Sequence, residues 1–111
     1  MRKPKERDLY AQVIDFLALH RIPALRLNAG LVQTAHGSWV RLGPKGASDV
    51  VACLPPSGRW LCVECKLRAR DRATPAQAAW LSGMEKAGAL VLLVRDVREL
   101  EAALKAEGVI R

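Results

Sequence analysis

Asp49, Glu64 and Lys66 are the residues whose types and spacing point to chemistry. The segment from Trp60 to Leu67 alternates like a β-strand, so successive side chains take opposite faces. Trp60, Cys62, Glu64 and Lys66 then share one face, while Leu61, Val63, Cys65 and Leu67 share the other and read as core. Glu64 and Lys66 stand about 6.6 Å apart along that face. Upstream, Ser48 to Leu54 reads as a second strand whose only charge is Asp49, and Pro55-Pro56-Ser57-Gly58 is a turn between the two. A symmetric four-residue loop pairs Leu54 with Arg59 and carries Asp49 opposite Glu64, with Cβ atoms roughly 4.5–5.5 Å apart. A two-residue loop keeps that register and an odd-length loop breaks it.

Like charges directly opposed are destabilising unless a cation lies between them. A hard divalent ion suits the pair, because Mg²⁺ takes one or two carboxylates together with water and phosphate oxygens. Lys66 adds a fixed cation one pleat along. The competing reading is a cross-strand salt-bridge network in which Lys66 simply neutralises both acids. Ahead of Asp49 runs Lys45-Gly46-Ala47-Ser48, where Gly46 is expected to let the backbone approach a phosphate closely. The loop is not a Walker motif, since it lacks the Gly-Lys-Ser/Thr ending.

These residues need elements to hold them. Leu9, Val13, Ile14, Phe16, Leu17 and Leu19 recur at helical spacing, predicting a helix from Pro4 to His20 with Pro4 in its first turn. Ala24 to Leu27 alternates like a strand and stops at Asn28-Ala29-Gly30. Leu31 to Ala35 and Ser38 to Leu42 flank His36-Gly37, read as a two-residue hairpin turn. Thr74 with Pro75 behind it marks a helix start, and that helix runs to about Ala87 before Gly88. Ala89 to Val94 is wholly apolar, the pattern of a strand buried on both faces. Asp96 and Glu99 form a capping box for a last helix ending near Gly108. The expected fold class is α/β, a mixed β-sheet flanked by helices.

The chain has 111 residues, of which 50% are hydrophobic, with 18 Lys+Arg against 11 Asp+Glu and three cysteines. That length predicts a single domain over residues 1–111 with a core of its own. No apolar run approaches the roughly 20 residues of a membrane span, and no apolar stretch follows the charges of Met1 to Asp8, so neither a membrane anchor nor a signal peptide is expected. Cys53, Cys62 and Cys65 are odd in number and do not make a disulfide framework, which points to a reduced, cytoplasmic setting. The net charge of +7 suits a polyanionic partner such as nucleic acid, and equally leaves open a basic protein without one.

Taken in order, the motifs resemble a known family. Gly46-Ala47-Ser48-Asp49, followed by Val63-Glu64-Cys65-Lys66, is similar to the catalytic signature of the PD-(D/E)xK nuclease superfamily, whose core is restriction-endonuclease-like. With Glu6, Asn28-Ala29-Gly30, Gly43-Pro44-Lys45, Thr74-Pro75-Ala76-Gln77 and Gly88, the chain resembles a stand-alone VRR-NUC domain from about Glu6 to Leu104. Ser48 stands where the superfamily name has proline. The resemblance implies metal-dependent hydrolysis of DNA phosphodiester bonds, with Mg²⁺ or Mn²⁺ bound by Asp49, Glu64, the Cys65 backbone carbonyl and Glu6. Gln77 would sit at the site's edge and place the metal-bound groups. It also implies structure-selective cutting of branched DNA such as four-way junctions, by a homodimer. Lys66 beside two carboxylates is held in its charged form, so its expected role is electrostatic stabilisation rather than base catalysis.

Lys45, Arg68, Arg70 and Arg72 border the carboxylates in sequence and are the expected phosphate contacts. No recognition helix or readout module is evident, so backbone or shape recognition is the default. Cys62 and Cys65 form a CxxC, but a strand sends them to opposite faces and no second pair completes a zinc site. Trp39 and Trp60 are the tryptophans placed to be exposed, whereas Trp80 falls on the core side of its helix. Two other functions stay open: a DNA-binding module that does not cleave, and a restriction-type enzyme cutting linear duplex at a defined sequence.

Overall fold

The computed structural model describes residues 5–27, 31–41 and 43–111. Met1 to Pro4, Asn28 to Gly30 and Leu42, named above, lie outside them. The elements are α1 (Glu6–Leu19), β1 (Ala24–Arg26), β2 (Leu31–Gln33), β3 (Trp39–Arg41), β4 (Val50–Leu54), β5 (Arg59–Cys65), α2 (Pro75–Lys86), β6 (Leu90–Val94) and α3 (Val97–Ala106).

Four strands form one sheet in the order β1-β4-β5-β6, with β5 and β6 parallel and the other neighbours antiparallel. The β4–β5 hairpin has the register expected from its turn: Leu54 faces Arg59 and Val50 faces Val63. The parallel step from β5 to β6 is made through α2, because parallel neighbours need a long crossover. Alternation in the strands divides the apolar side chains between two faces. On one, Val50, Ala52, Leu54, Leu61, Val63, Cys65, Leu90 and Val94 pack with Leu9, Val13 and Leu17 of α1 and Leu100 and Leu104 of α3. On the other, Val51 and Cys62 join Ala89 under Trp80, Leu81 and Met84 of α2. Cys62 and Cys65 therefore point to opposite faces, and all three thiols are free. Among the described residues no helix is long and apolar enough to cross a membrane.

Two expectations need correction. The β2–β3 turn has three residues, not two: the Thr34 amide donates to the Ser38 carbonyl at 2.7 Å, leaving Ala35-His36-Gly37 as the loop. Gly37 has a φ of 85°, the left-handed residue that completes a three-residue hairpin loop. Gln33 consequently faces Trp39. The apolar strand near the C-terminus is not buried on both faces throughout, since β6 is a sheet edge and Leu93 is exposed.

The helix starts follow their capping residues. Thr74 accepts from the Gln77 amide at 3.2 Å, and Asp96 accepts from the Arg98 amide at 2.8 Å. At α1 the Asp8 carboxylate accepts from the Lys5 amide at 2.9 Å. The start of α2 is also fixed from outside. Gly46 has a φ of 83°, and a Cβ there would collide with the Ala76 carbonyl and stand 2.8 Å from the Gln77 nitrogen. The close approach expected at Gly46 is thus to the first turn of α2. Gly43, with a φ of 89°, has nothing within 4 Å of the same position. Gly46→Ala is expected to cost about 2–4 kcal/mol, combining left-handed strain with a backbone clash. Gly43→Ala should cost only the strain, about 1–2 kcal/mol. Urea unfolding of the two variants checks this, and equal losses would contradict it.

Candidate active site

The carboxylate pair sits where β4 and β5 end beside the first turn of α2. Asp49 precedes β4, and its backbone carbonyl accepts from the Leu27 amide at 2.8 Å, which extends the β1–β4 pairing to this point. Its side chain turns toward β5, and Oδ2 accepts from the Cys65 amide at 2.8 Å. Glu64, two residues from the nearest apolar side chain on its face, Cys62, is 1% exposed. Gln77 Nε2 donates to Glu64 Oε1 at 3.3 Å, while Gln77 Oε1 accepts from the Thr74 amide at 2.9 Å. One side chain thereby closes the helix cap and holds the buried acid. Glu64 Oε2 is buried with no hydrogen-bond donor.

Burial pushes the Glu64 carboxyl well above its ordinary value, and the Asp49 carboxylate beside it adds to the shift in the same direction. Lys66 opposes that shift from a distance, and Glu6 reinforces it. Lys66 is half-buried, yet its ammonium makes no ion pair with either acid. The salt-bridge network therefore does not account for the site. Two acids face each other, Glu64 buried and Asp49 half-buried, and Glu64 Oε2 has no hydrogen-bond partner among the described residues.

Glu6 and Asp8 separate by role. Asp8 caps α1, whereas Glu6 adds its charge to the acidic group around Glu64, Cys65 and Tyr10. Tyr10 was not singled out from the sequence. Desolvation first, then the charges of Asp49 and Glu6, raise its phenol, and the Arg26 guanidinium lies 4.5 Å from its ring centroid. The same surroundings raise the Cys65 thiol, again chiefly by burial. Apart from an i,i+4 relation of Glu6 to Tyr10 on α1, nothing in the sequence signals this grouping.

The basic loop after Lys66 is organised by Arg95, also missed. Its guanidinium donates to the carbonyls of Lys66 at 3.5 Å, Arg68, and Asp71 at 2.8 Å. Arg72 turns onto its own loop, donating to the carbonyls of Ala69 and Asp71. Arg68, Arg70 and Lys45 are exposed. In sequence Arg95 is merely a charge between a strand and a helix cap.

The donor set fits a hard cation. Among the described residues no three His, Cys, Asp or Glu side chains make a metal cage of their own. Two oxygen ligands with an unfilled oxygen suit an ion that keeps most of its water, as Mg²⁺ does. Asp49 and Glu64 are the side chains that would hold it, and Glu6 adds its charge to the same group.

Comparison with known proteins comes down to the fold. No family model and no curated protein matches the sequence. Among solved structures, a VRR_NUC domain protein superposes with a TM-score of 0.61, covering 96% of this chain and 89% of that one at 14% identity. The chain thus has the mixed α/β fold of a VRR_NUC domain protein, its sheet flanked by helices.

The buried acid has a consequence for pH. An unfolded chain releases the Glu64 proton near 4.5, while the folded protein retains it to higher pH. The folded state binds more protons in that window, so metal-free stability should fall as pH rises above 4.5, by up to about 1.4 kcal/mol per unit. Glu64→Gln should remove this component and be the more stable protein at pH 8. Urea unfolding in EDTA between pH 5 and 8 measures both, and an unchanged slope in the variant would contradict the assignment.

Proposed function

We propose that this protein is a metal-dependent endonuclease that hydrolyses DNA phosphodiester bonds, selecting branched DNA such as four-way junctions by structure. The observation that carries the reading is Glu64: a carboxylate 1% exposed, set against Asp49, with one oxygen unpartnered. A buried acid beside a second one must either carry an unpaired charge or hold its proton well above the ordinary carboxylate range, and either costs the fold stability that a bound cation would restore. That argument disfavours the non-cleaving module. The fold shared with a VRR_NUC domain protein supports the same conclusion.

Bound Mg²⁺ or Mn²⁺ supplies Lewis acidity and an activated water at neutral pH. The chain's own residues do the rest. Asp49 and Glu64 would hold the ion, assisted by the Cys65 carbonyl and Glu6. The Cys65 amide fixes the Asp49 rotamer, and Gln77 fixes Glu64. Lys66 follows β5 with no ion-pair partner among the described residues, so its ammonium is available to the charge that develops on the phosphate oxygens. Lys45, Arg68, Arg70 and Arg72 would contact flanking phosphates, with Arg95 keeping the loop of the three arginines in shape. A homodimer follows from the substrate, because a junction is cut symmetrically only by two sites. The setting proposed is cytoplasmic.

The test uses end-labelled four-way junction and matched linear duplex with Mg²⁺, Mn²⁺ or EDTA. Paired cuts on the junction in either metal, none in EDTA, and a loss of about 10²-fold or more in both Glu64→Gln and Lys66→Ala are expected. Equal cutting of linear duplex would overturn the structure selectivity. No cutting with either metal would overturn the nuclease.

A further inference from the structure

We propose that the β2–β3 ribbon is a DNA clasp, a two-stranded arm that enters the major groove beside the phosphate held at Asp49 and Glu64. Its position next to a scissile phosphate rests on the nuclease reading; its binding to DNA does not.

The described residues on either side of the arm lie close to Asp49. The chain departs after Leu27, whose amide is bonded to the Asp49 carbonyl. It returns through the turn closed by the Ala47 amide on the Pro44 carbonyl at 3.1 Å, and runs directly into Asp49. Gly46, wedged against the first turn of α2, anchors that returning strand. The arm is therefore rooted in the same contacts that position Glu64 and Gln77.

Among the described residues the ribbon pairs only within itself, as a sheet separate from the main one. Val32 and Val40 face each other across it and are exposed, and Trp39, on the opposite face, is 65% exposed. Two strands alone are marginal in water, and apolar side chains displayed on both faces call for a covering surface. The charge pattern identifies that surface. The ribbon, residues 31–41, has no Asp or Glu and carries His36 and Arg41, and the residues flanking it from 16 to 48 add Arg21, Arg26 and Lys45 and again no acid. A protein partner gives no reason to exclude acids over so long a stretch. A polyanion does, since every carboxylate near its phosphates is repelled while each cation releases a counterion.

The dimensions agree. Two paired strands are about 4.8 Å apart, and a strand advances about 3.3 Å per residue, so the arm reaches about 17 Å from Leu31 to His36. The major groove of B-DNA is about 12 Å wide and 8.5 Å deep and admits a two-stranded ribbon. The tip has the groups for it. Gln33 Nε2 donates to the Gly37 carbonyl at 3.2 Å and holds the loop in shape, while Thr34, His36 and Ser38 offer donors and acceptors to base edges. Trp39 offers an apolar face to thymine methyl groups or sugars.

The test uses the full chain in EDTA, where nothing is cut, with 30-base-pair duplex as the probe. Trp39→Ser/Val40→Ser is compared with a variant whose residues 32–40 are replaced by Gly-Ser-Gly. Dichroism and urea unfolding show that each still folds. Duplex affinity is expected to fall about tenfold or more in both. Protection of guanine N7 from dimethyl sulfate, a major-groove signal, should be present with the parent protein and lost without the arm. Unchanged affinity and unchanged N7 reactivity would overturn the clasp. So would a drop from dimer to monomer on sedimentation with duplex affinity per site retained, which would make the arm a contact between copies. A protein that protects N7 through the arm yet cuts nothing with metal upholds the clasp and overturns the nuclease, so the two readings fail separately.

Discussion

The structure turns on one unfavourable placement, a carboxylate buried at the end of β5 facing a second carboxylate at the start of β4. A charge removed from water is stable only with partners, and Glu64 has one donor for its two oxygens. The arrangement survives because its surroundings are over-determined. The antiparallel hairpin brings Asp49 and Glu64 together, the Cys65 amide orients Asp49, and the first turn of α2 delivers Gln77. That turn is held from below by Thr74 and from the side by Gly46.

The two faces of the sheet divide the work accordingly. The face under α1 and α3 carries the larger core, with Leu17, Leu100 and Leu104 fully buried. The face under α2 is thinner, and no residue of α2 is itself fully buried. A lightly packed helix over a rigid sheet is a reasonable mount for a site: the strands set the acids, and the helix contributes one polar side chain through its cap. Arg95 does the same for the loop beyond Lys66, replacing absent regular structure with hydrogen bonds to successive carbonyls.

Much of this was legible in the sequence because it depends on short-range rules. The register that opposes Asp49 to Glu64 follows from loop parity at Pro55–Gly58, and the caps at Thr74 and Asp96 are local signals. What failed needed more. The hairpin at His36-Gly37 has one more loop residue than its sequence suggested, because Gly37 supplies the left-handed position of a longer loop. The close approach at Gly46 is to the α2 backbone rather than to the phosphate its sequence suggests, because that neighbour is set by tertiary packing. Ala89 to Val94 looked like a central strand because apolarity does not distinguish a centre from a partly covered edge. Tyr10, Arg26 and Arg95 carry no motif: tertiary packing brings the first two to the acidic group and the third to the loop after Lys66. Glu6 differs from Asp8 only once the cap of α1 is seen.

The claim on which the account rests is that a divalent cation completes the Asp49–Glu64 pair. Its most direct test is an anomalous-difference map from crystals of the protein grown with Mn²⁺. The account predicts a peak within about 2.0–2.3 Å of oxygens from both Asp49 and Glu64, with Glu64 Oε2 no longer unpartnered and Gln77 still bonded to Oε1. A map with no peak at this pair, or with Mn²⁺ only at other surface acids, would contradict it and leave Glu64 as a buried acid that keeps its proton.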